Sequence, residues 1–463
     1  MSVAVRFLEF GNIRLPEEVK DYHPERVKKR GVDEGRRPVK IGGLDTERAR
    51  DQGGGKPAPA VGGEGKGMAG EPGGPRLAAR MADVRESGTV ELMDRARQLR
   101  ARGQDVVSLA GGEPDFDTPA GAVEEAARAL REGFTHYVSS RGIPELRRAI
   151  THKLQRENGV AYDADTEIVV TVGAKMALLS AILALVEPGE EVISFGPAWV
   201  SYQPMVALAG GRLVAVPLRA EGGRFAFDEA EVRRAVTPRT KVLLVNNPHN
   251  PTGKVFSRDE LAFLAGLARE HDLVVIADEI YEHIVYDGRR HVSMASLDGM
   301  RERTVMVNGF SKAYAMTGWR LGYLAAPAAV ASAALAITQQ TTTCATSFAQ
   351  KGAVAALTAG GGAVAAMVAE FARRRQFLLE RFRAIPGVEL IPPEGTFYAF
   401  PRLHGDTPST EVARRLLEDK QVAVVPGSVF GEAGEGFLRL SFSCSLEELC
   451  RGLDRLEAFF RGG

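Results

Sequence analysis

A lysine that attacks a carbonyl must first shed its proton, and Lys312 stands where that is made easier. It lies in the run Gly309-Phe-Ser-Lys-Ala-Tyr-Ala-Met-Thr-Gly-Trp-Arg-Leu-Gly322, just after the apolar stretch Thr304–Val307, with Arg320 eight positions on. Burial or a neighbouring cation holds such an amine near neutrality, as a Schiff-base lysine requires. Arg320 supplies a cation, and its planar fork also suits a dianionic phosphate. A lone lysine of this kind is ordinarily an exposed loop residue, so the reading rests on the company it keeps.

Asp278-Glu-Ile-Tyr281 follows the apolar run Leu273–Ala277. A carboxylate at the C-terminal end of a buried parallel strand points into the crevice where such sheets bind ligands. There Asp278 can keep a pyridine nitrogen protonated and so maintain an electron sink, while Tyr281 donates to a phenolic oxygen on the same ring. The competing reading is an acidic helix cap. Asn246-Asn-Pro-His-Asn250-Pro-Thr-Gly253 follows Lys241–Val245 at the same predicted sheet edge, which lets Asn250 bond that oxygen too. The stretch is equally well formed as a plain turn. Gly173-Ala174-Lys175 joins the strand Ile168–Val172 to the helix Ala174–Val186, and the free N–H groups of such a junction suit a phosphate. Trp199 can stack on an aromatic cofactor or serve as a core or interface residue.

Strand-sized apolar runs recur at Ile168–Val172, Glu191–Phe195, Arg212–Pro217, Lys241–Val245, Leu273–Ala277 and Thr304–Val307, with helical patterns at Ala174–Val186 and Arg258–His271 between them. Continuous apolar strands separated by helices predict an α/β fold with a mostly parallel sheet covered on both faces. After Pro327 the chain is mainly helical, with a long amphipathic segment at Ala363–Ala384. Strands then return at Gly387–Ile391, Thr396–Phe400 and Phe437–Phe442, and helices at Ser409–Asp419 and Leu446–Phe460. This tail predicts a smaller α+β domain.

Composition narrows the alternatives. Lys+Arg and Asp+Glu each total 59, so the formal net charge is zero and no basic surface for nucleic acid is implied. Cys344, Cys444 and Cys450 form no CxxC pair or metal-ligand cluster and read as free thiols in a reducing compartment. With no apolar run of spanning length and no signal-peptide pattern, the expected location is cytoplasmic. Gly53–Gly74 is dominated by Gly, Pro, Ala and Lys, too little apolar surface to offset backbone ordering. Residues 1–75 are therefore expected to be a flexible or disordered extension. Beyond it, 76–120 reads as an entry segment, 121–360 as the large cofactor-binding domain and 361–463 as the small C-terminal domain.

From about Leu77 onward the chain resembles the class I/II aminotransferases of fold type I, which depend on pyridoxal 5'-phosphate, and especially their bacterial aspartate, aromatic and prephenate branch. The motifs occur in the family's order: GGEPDFDTP (Gly111–Pro119), HYVSSRGIPELR (His136–Arg147), VGAK, PAWVSY, NPTG, ADEIY, the SKAYAMTGWRLGY run and FLRLSF (Phe437–Phe442). One such motif is weak, but eight in register are specific. Ala174 departs from the pattern, standing where a second glycine is frequent; backbone N–H donation survives the change.

The resemblance implies that Lys312, in the Ser311-Lys312 pair, carries the cofactor as a Schiff base and shuttles a proton. It also implies that Asp278 pairs with the ring nitrogen, that Asn250 and Tyr281 bond the ring oxygen, and that Trp199 stacks on the ring. Gly173, Ala174, Lys175 and Arg320 would surround the phosphate, Ser311 would also contact the cofactor, and Tyr137 would reach the phosphate of a partner subunit in a homodimer. Gly112 and Arg439 would meet the substrate's α-carboxylate, Arg439 through a bidentate fork, with Trp199 and Asn250 also on the substrate. Arg85 falls where some members carry a lysine that reads acidic or prephenate substrates; as a surface arginine it needs no such role. The implied reaction moves an amino group from an amino acid, aspartate first, to the cofactor and then to a 2-oxo acid such as 2-oxoglutarate. No metal is implied. The same framework also serves β-elimination of the cystathionine lyase kind, and a cofactor-binding regulator or a non-catalytic homologue remain as further readings.

Overall fold

The computed structural model describes residues 77–84 and 88–462, with side chains described from Asp94 in the second stretch. The extension expected over 1–75 and the position of Arg85 lie outside the described residues.

Seven strands form the central sheet: β1 (Ile168–Val172), β2 (Glu191–Gly196), β3 (Arg212–Pro217), β4 (Thr240–Asn246), β5 (Val274–Asp278), β6 (Thr304–Gly309) and β7 (Leu321–Ala325). Their spatial order is β1-β7-β6-β5-β4-β2-β3. β2 pairs in parallel with β3 and β4, β4 with β5, and β5 with β6. β7 alone runs the other way, antiparallel to both β1 and β6. The expected mostly parallel sheet is thus present, made mixed by one reversed strand. The six strands read from the sequence are present. β7 is the addition: its first three residues, Leu321–Tyr323, fall at the end of the lysine motif, and the sequence reading left them there.

Alternating residues of each strand feed opposite faces, as the two-residue strand period requires. Val242 and Leu244 of β4 pack with Ala177, Leu178, Ala181 and Ile182 of helix α1 (Gly173–Leu185). Leu243 and Val245 pack with Leu261, Leu264, Ala265 and Ala268 of helix α2 (Arg258–Glu270). The start of α2 is fixed by a capping box in which Ser257 and Glu260 satisfy each other's backbone N–H groups. Because the strands on either side are parallel, the C-terminal ends of β1, β2, β4, β5 and β6 share one edge, and each leads directly into one of the sequence motifs.

In the C-terminal part, Tyr398–Ala399 (β8), Val425–Pro426 (β9) and Leu438–Ser441 (β10) make a small antiparallel sheet in the order β8-β10-β9. The structure trims the expected strands there: Gly387–Ile391 contracts to Val388–Glu389 and Thr396–Phe400 to Tyr398–Ala399. Helices Gly361–Phe382, Ser409–Lys420 and Leu446–Phe460 cover this sheet with a core that includes Phe371, Leu416 and Leu453. The segment Val107–Ser108 pairs in parallel with Val422–Ala423, so the entry segment is bonded into the C-terminal sheet region. Among the described residues no single helix is long and apolar enough to cross a membrane; Ser347–Ala359 and Gly361–Phe382 meet that test only as a pair bent by 75°.

One close approach ties β7 to the beginning of α1. A side-chain carbon on Gly322 would lie 2.3 Å from the Ala174 amide nitrogen and 2.5 Å from the Gly173 carbonyl carbon, so only glycine fits. Gly322→Ala is expected to cost about 1–3 kcal/mol of stability by overpacking. Gly266→Ala, inside α2 where a methyl group meets nothing within 4 Å, is expected to be neutral or stabilising. Urea denaturation of the two variants side by side measures the contrast; equal effects would contradict it.

Candidate active site

The strand ends converge on a cavity of about 360 Å³ whose walls include Gly112, Lys175, Trp199, Asp278, Lys312 and Arg439. Ala174, Asn250, Tyr281, Ser311 and Arg320 also face it, and Gly173 opens α1 immediately beside it. The structure therefore brings together every described site residue read from the sequence except Tyr137, whose side chain is 86% exposed and outside the cavity.

Asp278 closes β5, with Asn246 at the end of β4 as its register partner. The side-chain amide of Asn246 donates to the Asp278 backbone carbonyl at 3.0 Å, and its side-chain oxygen accepts the Asn250 N–H at 2.8 Å. One asparagine thus fixes the strand end and the turn after it. The Asp278 carboxylate is buried, and burial raises its pKa from an ordinary 3.8 to about 6, against the pull of hydrogen bonds from Tyr202 and the Ile280 N–H. The Tyr202 hydroxyl donates to Oδ2 at 2.6 Å. Trp199 stands edge-on to Tyr202, ring centres 5.3 Å apart.

Lys312 reaches across the cavity from the turn after β6 and donates to the Gly112 carbonyl. Desolvation lowers its pKa to about 8; Arg439 and Arg320 push the same way, while Glu113 and Asp278 oppose. The sequence argument for Lys312 rested on burial or a cation, and burial is the larger cause. Its Nζ lies 5.9 Å from the centre of the Tyr281 ring and 5.8 Å from that of Phe397.

Helix α1 begins at Gly173, whose φ of +76° suits glycine, and no side chain caps its first N–H groups. Arg320 faces this end: a carbon added at Gly173 would lie 2.6 Å from its Nη2. Free amides, the positive end of the helix and an arginine make a phosphate site. The Lys175 side chain turns aside to put its Nζ 5.1 Å over the Trp199 ring, and burial lowers its pKa, with Arg320 contributing.

Arg439, on β10, is buried yet meets no carboxylate among the described residues. Its Nη2 donates to the Ala110 carbonyl at 2.9 Å, Nη1 reaches the Asn250 side-chain oxygen at 3.5 Å, and Nε has no partner. A buried guanidinium with an unsatisfied donor is a ready receptor for an anion. The Tyr281 and Tyr398 hydroxyls are 3.1 Å apart beside it.

The sequence reading did not single out Asn246, Tyr202 or Tyr398. Signals for them were present: Asn246 opens the NNPHNPTG turn, Tyr202 sits three residues after Trp199, and Tyr398 falls within an expected strand. Nothing local says where their hydroxyls or amide would point. Below the cavity, Glu282 accepts from Lys153, Asn158 and Asn308, and Glu279 from Ser293 and the Met294 N–H. His291 is 3.0 Å from Glu279. This buried ion network ties the residues after Asp278 to neighbouring elements.

The cavity fits pyridoxal phosphate on its own features: an uncapped helix start facing Arg320 for the phosphate, a buried carboxylate for the ring nitrogen and a desolvated amine for the aldehyde. Comparison with known proteins agrees. Residues 104–456 match the family described as aminotransferase class I and II. An aspartate aminotransferase of Pyrococcus abyssi is 46% identical over 367 residues, covering 78% of this chain and 94% of the relative. A probable aspartate/prephenate aminotransferase of Aquifex aeolicus is 43% identical, covering 82% and 98%. The solved aspartate aminotransferase from Thermus thermophilus with maleate superposes with a TM-score of 0.78 at 43% identity, covering 83% of this chain and 99% of that one.

The burial of Asp278 has a sign that can be measured. Its folded pKa lies above its unfolded one, so between these values the folded protein holds the extra proton, and stability falls as pH rises through the window. In protein freed of cofactor, Asp278→Asn is expected to gain up to about 3 kcal/mol above about pH 7, shrinking to nothing below about pH 4. Thermal denaturation across that range checks it; a gain independent of pH would show that the carboxylate is not desolvated as described.

Proposed function

The chain belongs to the class I and II aminotransferases and is a pyridoxal-phosphate-dependent enzyme, and on that premise we propose that its amino donor is a dicarboxylic amino acid, aspartate first, with 2-oxoglutarate as acceptor. The observation that carries the specificity is Lys175. Arg320 and the start of α1 serve the phosphate and Arg439 serves an α-carboxylate, which leaves the Lys175 ammonium, facing the cavity over Trp199, without a carboxylate partner among the described residues. A side-chain carboxylate is the complementary group, and the relatives named for aspartate support the choice.

The cofactor supplies an electron sink for the charge left when the donor's α-proton departs. The protein supplies the rest. Arg439 holds the α-carboxylate and so orients the α-carbon. Lys312 Nζ, with its pKa near 8, has a neutral fraction at physiological pH and takes the α-proton as general base. Asp278, with its pKa near 6, is mostly anionic there and keeps the ring nitrogen protonated. Tyr281 and Asn250 would hold the ring oxygen and Trp199 would cover the ring face, while Gly112, Ser311, Ala174 and Lys175 complete the walls and Gly173 opens α1 beside them.

The enzyme is read as a cytoplasmic homodimer. Tyr137 is exposed, as are Val123 and Leu130 of the helix Ala120–Arg131, and a second copy covering these residues would receive Tyr137 at its own phosphate. The large domain is assigned to 121–360 and the small one to 361–463, with 76–120 as entry segment.

A panel of amino donors with 2-oxoglutarate, following each 2-oxo product, tests the reading. Aspartate or glutamate should lead; release of pyruvate without an acceptor would instead indicate β-elimination. Lys312→Ala should lower kcat by about 10⁴-fold. Lys175→Met should lower kcat/KM for aspartate about 10- to 100-fold while sparing alanine and phenylalanine. A uniform loss, with weakened cofactor binding, would assign Lys175 to the phosphate instead. Arg85→Ala on the same panel tests the other acidic-substrate position that the resemblance offers.

A further inference from the structure

Arg439 presents a physical problem that the carboxylate-binding role does not solve. Its charge is buried before any substrate arrives, and one backbone carbonyl at 2.9 Å is its only full-strength hydrogen bond among the described residues. Its other close neighbours are aromatic. The guanidinium carbon lies 4.5 Å from the centre of the Tyr398 ring and 5.1 Å from that of Phe430. A desolvated cation over aromatic faces gains more from the ring quadrupole than an exposed one. Contacts with the faces also leave the donor edge of the fork free for a planar anion.

The opposite end of Tyr398 has a different neighbour. Its hydroxyl is 3.1 Å from that of Tyr281, and no other side chain among the described residues bonds it. Each phenol has one proton to give. When Tyr281 spends its proton on a ligand oxygen, its own oxygen is left to accept, and Tyr398 is placed to donate. Donation in series strengthens the outer bond. Gly112 keeps the space beside this hydroxyl open, since a carbon added there would come within 3.4 Å of it.

We infer that Tyr398 is a positioning residue with two separable duties: its ring face seats the Arg439 guanidinium, and its hydroxyl holds the Tyr281 hydroxyl as a donor toward the cofactor's ring oxygen. The inference rests on the assignments of Arg439 to the α-carboxylate and Tyr281 to the ring oxygen. Tyr398 joins the two, so that one side chain supports both substrate capture and the electronic state of the ring. The charged and titratable groups around the two hydroxyls are Arg439, Glu113, Asp278 and Lys312, and all four are retained in variants at 398.

Tyr398→Phe and Tyr398→Leu, prepared as full-length holoenzyme beside Arg439→Ala, separate the duties. Tyr398→Phe keeps the face and loses the hydroxyl. It should lower kcat about tenfold, leave KM for aspartate within about twofold of wild type, and move the midpoint of the bound cofactor's visible absorbance change to higher pH. Tyr398→Leu loses both and should in addition raise KM about tenfold. An unshifted absorbance midpoint in Tyr398→Phe overturns the hydroxyl's duty, and an unchanged KM in Tyr398→Leu overturns the seat. Arg439→Ala distinguishes the underlying reading: if its KM is unchanged, the carboxylate assignment falls and the seat with it, while the absorbance titration still judges the hydroxyl. Thermal denaturation confirms that Tyr398→Leu is folded, and Tyr398→Phe stands as the conservative variant if it is not.

Discussion

The chemistry depends on keeping an amine and a carboxylate away from water without letting them neutralise each other. Lys312 and Asp278 share one cavity and form no ion pair; desolvation brings the amine down to about 8 and the acid up to about 6. Each is thereby poised to exchange a proton near neutrality. Were they in contact, each would stabilise the other's charged form and both values would retreat from that range. Each group instead has a hydrogen-bond partner of its own, the Gly112 carbonyl for the amine and the Tyr202 hydroxyl for the acid.

The sheet enforces the separation. Asp278 is the last residue of β5, Lys312 lies in the turn beyond β6, and the β5–β6 register fixes their lateral offset. The facing wall comes from elsewhere, with Arg439 on β10 and Gly112 in the segment joined to the C-terminal sheet region through Val107–Ser108. The cavity is built where these two sets of elements meet, with Asp278, Lys312 and the start of α1 contributed by the large sheet and its connections and Arg439 by the small one.

Much of this was legible in the sequence because the motifs sit where hydrophobic periodicity ends. Apolar strands announce their length, and the residues just past the end of a parallel strand must face the ligand edge; Asp278, Asn250, Gly173 and Lys312 were readable for that reason. β7 was hidden because its short apolar run is continuous with a motif whose chemistry drew attention first. Tyr202 and Tyr398 were hidden for a different cause. Both are aromatic residues in buried settings, where packing alone accounts for their presence, and only three-dimensional placement shows that their hydroxyls meet Asp278 and Tyr281. The Lys175 side chain likewise departs from the phosphate cradle that its backbone position suggests.

The reversed strand constrains how the chain can vary. Gly309 of β6 is paired with Gly322 of β7, so everything between them is a clasp whose base is pinned by the sheet. Lys312 occupies one arm of that clasp and Arg320 the other. An insertion or deletion in either arm would shift the amine or the guanidinium relative to the pairing at the base. The span of this stretch is therefore the constrained quantity, and the exposed turn at Gly318 is where one residue can be exchanged for another at least cost.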